Sequence, residues 1–565
     1  MRRRTRAGAV AAAPFLALAF AASAFAITST GNSQANNPQV QGDPSSDTTA
    51  VFPTNKQNET TIAQNPIDGR YLIAGSNDEQ RQPPCGPGPV RGADALPNDC
   101  GFLPGVGTSG IYTSDDSGVS WINRGLLDDQ LSWQGLGVVS DGDPVIAYGP
   151  KPDARGRFSY SNGVRAYYSS LATISGAKGY EYIIVSHSDD NGATWSAPVV
   201  GTTKTSTTDF NDKNWIGVDN SPTSPYFGRV YLSWTEFRSA TATGNGSEPI
   251  QVAVSANGGA SFGSPKQLSP AGNNGTGNGR QGSSIDVGPD GTVYVAFEQG
   301  FSQVVAISTT GGAKWNRPVT IGPVADIADP IPGANFRTDS FLTIGADPRP
   351  DQRPGSTTVY ATWANRVGAS GRIVVSTSTT SGRTWGPLVT VSTATEGYAF
   401  FQGLDVAPNG RVDIAYQALL ATDTAIFGTD NASIDAYAVS KAAGTSTWSV
   451  PERISTLSSD PAVSAQNNLQ RQFWGDYNQL VSTNAGAVYI ATDSRNGVGC
   501  PAVDVYQKYL VDNGLVIRGD GADRLSYKLT GVNPALSAPS EKPAPPVDCP
   551  PQFGNTDAWV HRFTP

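Results

Sequence analysis

The pattern that most constrains this chain is Ser188-x-Asp190-x-Gly192-x-x-Trp195, inside the stretch SHSDDNGATW, because it is written more than once. Ser114-x-Asp116-x-Gly118-x-x-Trp121 is a second full copy. Ser255-x-Asn257-x-Gly259-x-x-Phe262 keeps an amide and an aromatic, and two copies ending in Gly312 with Trp315 and in Gly382 with Trp385 keep a threonine hydroxyl in place of the aspartate. A worn sixth copy runs from Ser440 to Trp448 with one extra residue. The closing aromatics at 121, 195, 262, 315, 385 and 448 are 74, 67, 53, 70 and 63 residues apart, long for a solenoid repeat but suited to a four-stranded blade with generous loops. The chemistry is that of a hairpin turn. A short oxygen-bearing side chain accepts backbone N–H bonds, glycine supplies positive φ, and the aromatic packs beneath. The aspartates of this label are therefore read as turn-formers rather than as reacting groups.

A second unit precedes each label: a strand, a polar turn rich in glycine or proline, and a strand of pattern G-x-V-Y-x-x-W. It is clearest at 215–237, 283–300 and 342–365, and it recurs at 58–78, 142–150, 404–419 and 476–496. Seven such starts predict an all-β propeller of four-stranded blades, with seven blades preferred and six as the alternative. The last blade is completed either by VDVYQKYL (503–510) or by the terminal DAWVHRFTP, with burial of Trp559 and Phe563 in the second case. The N-terminal segment is a further candidate for closing that sheet, since an open propeller would expose two sheet edges.

Repeats of Ser-x-Asp-x-Gly-x-x-Trp resemble the Asp boxes, or bacterial neuraminidase repeats, of the sialidase-like β-propeller superfamily. The likeness covers residues 51–565 and is to a secreted bacterial member. It implies a glycan or glycoconjugate as partner and exo-sialidase-like hydrolysis of acidic extracellular glycans. A non-catalytic propeller that binds a glycan or a protein, and a polysaccharide lyase, are the alternatives.

Strand direction selects one face. If the first strand of a blade descends along the channel, the upper face is built from residues just before first strands and just after second strands. Glu59, Asp143, Asp212, Lys213, Arg280, Arg337, Asp339, Arg471, Asp476 and Tyr477 stand in the first set, and Asp78, Glu236, Arg238, Glu298, Asn365, Arg366, Asp493 and Arg495 in the second. In a chain only 15% charged, that rim is unusually ionic. The resemblance implies three arginines gripping a carboxylate, a tyrosine nucleophile activated by a carboxylate, and an aspartate as acid/base. Carried over, Arg280, Arg337 and Arg471 become the substrate-binding candidates. Tyr477 becomes the nucleophile, with Glu298 or Glu236 as its activator and Asp143 or Asp339 as acid/base. FRT at 336–338 departs from the family's Phe-Arg-Ile-Pro after the arginine and falls in the fifth repeat. An Arg471–Asp476 ion pair with Tyr477 as packing is the structural alternative.

The remaining features bound the setting. Four arginines, an alanine-rich apolar run and Ala24-Phe25-Ala26 predict a secretory signal peptide over 1–26 and a secreted or periplasmic product. Residues 27–50 read as a flexible polar lead. Cys85 with Cys100 and Cys500 with Cys549 read as disulfides across local loops, although four cysteines allow three connectivities. The second pair would tether the proline-rich 534–552 over the last blade, and 51–565 is expected to form one domain. A formal charge of −9 argues against nucleic acid, and two histidines argue against Ser-His-Asp triads and multi-histidine metal sites. No cofactor is required on this reading. Calcium is possible at the acidic rim, no other metal is expected, no span should remain after signal cleavage, and the protein is expected to act as a monomer.

Overall fold

The computed structural model describes residues 26–38, 56–81, 99–100, 105–177, 181–202, 207–238, 246–270, 279–327, 338–350, 355–420, 433–464, 466–467, 474–499, 550 and 552–565. Seven four-stranded antiparallel sheets follow one another around a central channel. Blade 1 comprises Gln57–Gln64, Leu72–Asp78, Ser109–Ser114 and Ile122–Leu126. Blade 2 comprises Val138–Pro152, Phe158–Ile174, Tyr182–Ser188 and Val199–Val200. Blade 3 has Phe210–Val218, Val230–Phe237, Ile250–Ser255 and Lys266–Gln267. Blade 4 has Arg280–Val287, Val293–Gln299, Ser302–Ser308 and Val319–Pro323. Blade 5 is built from Thr343–Ala346, Val359–Val367, Ser370–Ser378 and Val389–Thr390. Blade 6 is built from Tyr398–Val406, Val412–Leu419, Ile434–Lys441 and Glu452–Arg453. Blade 7 joins Gln479–Ser482 and Ala487–Asp493 to Asp557–Thr564 and Thr28–Gln34. Each first strand contacts the first strand of the next blade, and blade 7 returns to blade 1, so the first strands line a closed ring.

The V-Y-x-x-W pattern explains why the blades stack. Residues three apart on a strand face opposite sides, so each side of the sheet receives a large ring. Trp234 packs into the core shared with blade 2 and Tyr231 into the core shared with blade 4. Tyr294 meets Trp363 between blades 4 and 5 in the same way. First strands have one unpaired edge, and side chains of neighbouring blades supply its partners. Thr61 Oγ1 accepts from Ile146 N at 3.1 Å, Asp286 Oδ2 from Ala346 N at 2.5 Å, and Asp405 Oδ2 from Ser482 N at 2.6 Å.

The repeated label closes the hairpin between the third and fourth strands. In blade 1, Ser114 Oγ donates to Asp116 Oδ1 at 2.8 Å and accepts from Gly118 N at 2.9 Å, and Asp116 Oδ1 accepts from Ser120 N at 2.9 Å. Ser188, Asp190 and Gly192 repeat this in blade 2, while Thr310 and Thr380 take the aspartate's place with their hydroxyls. The label glycines 118, 192, 259, 312 and 382 have φ between +74° and +86°, a region in which a side chain is strained.

Two expectations change. Residues 28–34, read as part of a polar lead, form the outer strand of blade 7 and pair antiparallel with 557–564, the alternative in which the N-terminal segment closes the last sheet. An outer strand is held by backbone ladder bonds and needs few apolar side chains; here Ile27 and Ala35, at its two ends, are both buried. The terminal segment supplies the third strand, burying Phe563 while Trp559 stays partly exposed. VDVYQKYL and the 534–549 loop lie outside the described residues. So do Cys85, Cys500 and Cys549, while the backbone of Cys100 pairs with Asn467 in a short parallel ladder. Among the described residues, no helix is long and apolar enough to cross a membrane.

Candidate functional site

Five first strands carry a bulge near their start, between Asn58 and Thr61, Gly142 and Val145, Asp212 and Trp215, Gln281 and Ser284, and Phe400 and Gly403. The residue two before the resumed ladder is Glu59, Asp143, Lys213, Gly282 or Phe401, and all five have φ between +51° and +65°. Counting back two from Thr343 and Gln479, where the ladders of blades 5 and 7 begin, gives Phe341 and Tyr477. One residue per blade thus stands at the same height around one mouth of the channel. Left-handed backbone costs a non-glycine residue about 1–2 kcal/mol, so four such residues in one ring are held there by the rest of the fold.

The ring is two-sided. Blades 7, 1, 2 and 3 contribute Tyr477, Glu59, Asp143 and Lys213; blades 4, 5 and 6 contribute Gly282, Phe341 and Phe401. The Lys213 ammonium contacts Asp476 and lies 3.7 Å from Glu59 Oε1 and 3.9 Å from Asp143 Oδ2, with the Phe341 ring centroid 6.0 Å away. Its backbone N–H donates to Asp212 Oδ1 at 2.8 Å. Tyr477 stacks edge-on against Trp215, centroids 6.1 Å apart, and its hydroxyl donates to the carbonyl of Pro144 at 3.1 Å. Gly282 is required by close approach: a Cβ there would fall 2.2 Å from Phe341 Cδ1. A pocket of about 480 Å³, counting the solvent at its mouth, opens between Lys213, Asp476 and Tyr477 on one side and Phe341 and Phe401 on the other.

Burial, then the neighbouring Glu59 charge, pushes the Asp143 carboxyl up to about 7 against the pull of Lys213. Burial likewise carries Asp212 to about 7. Burial works to lower Lys213, but Asp476, Glu59, Asp143 and Asp212 outweigh it and hold the ammonium well above its usual range. Burial, followed by Asp143 and Glu59, raises the Tyr477 phenol well above its ordinary value, so the hydroxyl is neutral.

These shifts have a consequence for stability. Asp143, Asp212, Asp405 and Glu79 all sit near 7 through burial, far above their unfolded values. The folded chain therefore holds protons that the unfolded chain has released, and stability falls as pH rises through 7. His561 and His187, lowered by burial to about 3 and about 4, act in the opposite sense, but only as pH falls below 6.5. The thermal midpoint is expected to rise by a few degrees from pH 8 to pH 6.5, and Asp143→Asn should flatten part of that rise. A scanning-calorimetry series with a midpoint constant over that window would contradict the assignment.

The structure brings together Asp143, Asp339 and Tyr477 from the sequence reading, with Asp339 and Tyr477 lining the pocket itself. Glu298 stands beside Asp326 and Asp339; burial first, then those two charges, raises it well above the carboxylate range. The charges that bear on Tyr477 are instead Asp143, Glu59 and Asp476. Glu236 is apart from the ring, held on blade 3 by Arg238 at 2.8 Å and Gln251 at 2.7 Å. Arg280 is buried at the head of blade 4, its backbone N–H donating to Glu248 Oε2 at 3.3 Å. Arg337 and Arg471 lie outside the described residues. Phe341, Phe401, Gly282 and Trp215 carry no charge, so an ionic rim does not mark them; their signal is position, two residues before the ladder resumes or, for Trp215, at its resumption. Among the described residues, no group of three or more His, Cys, Asp or Glu side chains is arranged to hold a metal ion.

No protein-family model matches the chain, and no curated protein does. Among solved structures, a protein of unknown function from Dyadobacter fermentans superposes with a TM-score of 0.41 at 12% identity, covering 74% of this chain and 99% of its own. A leech intramolecular trans-sialidase complexed with 2,7-anhydro-Neu5Ac gives 0.38 at 13% identity, covering 68% of this chain and 67% of its own. An ulvan lyase from a new polysaccharide lyase family gives 0.35 at 11% identity, covering 58% of this chain and 74% of its own.

Proposed function

We propose that the protein is a secreted, glycan-directed propeller that hydrolyses glycosidic bonds at the ring of first-strand bulges. The observation that supports this most is the two-sided ring. A sugar presents hydroxyls at its edge and C–H bonds on its faces, matching carboxyl, ammonium and phenol groups on one side and Phe341 and Phe401 on the other. A carboxyl near 7 is suited to proton donation at neutral pH.

The finer reading is exo-sialidase-like. Tyr477 attacks the anomeric carbon while its proton passes to the Glu59 carboxylate. Asp143 gives its proton to the departing oxygen as the glycosidic C–O bond breaks, and water then releases the sugar from the tyrosine. Glu59 takes the activating role given to Glu298 or Glu236 in the sequence reading, because it is among the charges bearing on Tyr477. A sialic acid carboxylate would be held by Arg337 and Arg471, since Lys213 is already engaged by Asp476, Glu59 and Asp143.

The test is turnover of a fluorogenic sialoside and of neutral fluorogenic glycosides by the mature protein and three variants. Asp143→Asn and Tyr477→Phe are expected to lower kcat/KM by about 100-fold or more on every substrate turned over. Arg337→Ala should act on the sialoside alone. Turnover of neutral glycosides but not the sialoside would reject the acidic-substrate reading. No turnover by well-folded protein would reject catalysis and leave glycan retention on an array as the measure of a binding role.

A further inference from the structure

Lys213 reaches carboxyl groups that belong to three other blades. Its ammonium meets Asp476 of blade 7, Glu59 of blade 1 and Asp143 of blade 2, while its own backbone N–H engages Asp212 and lies 3.3 Å from Asp143 Oδ2. It is itself held in left-handed backbone at φ +53°, so its start point is fixed as well as its end. Asn214, the next residue, anchors the bulge to blade 2 through Ser169 Oγ at 2.8 Å. The Asp212 carboxyl also acts on the ammonium, the Phe341 ring beside it carries no charge, and Tyr477, whose phenol is neutral, lies near Asp143 and Glu59. Asp339 lines the same pocket from the blade 5 side.

We propose that Lys213 is a positioning residue that locks the Asp476, Glu59 and Asp143 carboxyl groups into one arrangement and sets the pH at which Asp143 gives up its proton. The physical reason is competition. One ammonium among several carboxyl groups favours ionisation of those nearest it, and Asp476 has the closest contact. Asp143, farther off, next to Glu59 and coupled to Asp212, receives only part of that stabilisation and holds its proton up to about 7. Removing the cation should therefore raise the Asp143 midpoint, and weakening its attachment to Asp476 should lower it. The inference rests on the reading above only where activity is the readout.

The experiment follows aspartate side-chain carboxyl carbons by NMR against pH in labelled protein, with Asp143→Asn and Asp476→Asn identifying the resonances. In Lys213→Met, the Asp143 midpoint is expected to move up by about one pH unit or more, and in Lys213→Arg by less than about half a unit. Asp476→Asn, which frees the ammonium toward blades 1 and 2, should move it down and serves if the methionine variant does not fold. An unchanged Asp143 midpoint in both Lys213→Met and Asp476→Asn overturns the proposal. If glycoside turnover exists, the limb of its pH–rate profile should move with the carboxyl midpoint in each variant. If none exists, hydrolysis fails as the function while the titration still decides the role of Lys213.

Discussion

Arg411→Met is expected to destabilise the protein by about 3–5 kcal/mol, the range found when one partner of a buried ion pair is removed. Blade 6 departs from the repeat at this point: the V-Y of its second strand is written Val412-Asp413, so a carboxylate enters the space that blades 3, 4, 5 and 7 fill with the phenol rings of Tyr231, Tyr294, Tyr360 and Tyr489. Asp413 is fully buried and Arg411 nearly so. The guanidinium meets the carboxylate in a fork, Nε to Oδ1 at 2.9 Å and Nη2 to Oδ2 at 2.8 Å, and also donates to the carbonyls of Thr483 at 2.8 Å and Asn484 at 3.1 Å in blade 7. Ser440 Oγ at 2.6 Å and Ser482 Oγ at 2.8 Å complete the shell of Asp413. Methionine fills similar volume but leaves the charge without its counter-ion and two blade 7 carbonyls without a donor. Denaturant unfolding of Arg411→Met and of Arg411→Met/Asp413→Val separates the contributions. The double variant should recover most of the loss, and a single-variant loss below about 1 kcal/mol would show that the pair matters little.

Deleting residues 27–36 is expected to lower the thermal midpoint by on the order of 10 °C and to drive self-association. Blade 7 would keep three strands, and the outer edge of Asp557–Thr564 would be open for pairing with another chain. The strand also clamps both neighbours. Asn32 Nδ2 donates to Ile454 O of blade 6 at 2.9 Å, Ser33 Oγ donates to Gly118 O of blade 1 at 2.7 Å, and Trp121 Nε1 donates to Ser33 Oγ at 3.1 Å. In blades 2, 4 and 5 the label tryptophan instead donates to its own glycine carbonyl, at 3.2, 3.1 and 3.0 Å. Calorimetry and size-exclusion chromatography read the two effects. A deletion variant with the parent's elution volume and an unchanged midpoint would mean that the ring closes without this strand. Ser33→Ala, which removes one clamp and keeps the strand, should cost only about 1 kcal/mol.

The propeller was legible in the chain because its signals are local. A turn needing positive φ admits glycine, a stacked sheet needs large rings on alternate faces, and both requirements recur once per blade at a countable spacing. Strand direction then placed Glu59, Asp143, Lys213, Asp476 and Tyr477 at one mouth, because alternation up and down a meander follows from connectivity alone. Three things were decided only by tertiary structure. The left-handed backbone at five of the seven ring positions comes with one-residue bulges, and nothing in Glu59, Asp143 or Phe401 announces it locally. The apolar half of the ring was hidden because Phe341 and Phe401 look like core residues until the register shows them at the same height as Lys213. The closure of the circle by 28–34 was one of several candidates in the sequence and was chosen only by the fold, because an outer strand is held by backbone bonds to chain more than 500 residues away, which a polar sequence can make as well as an apolar one.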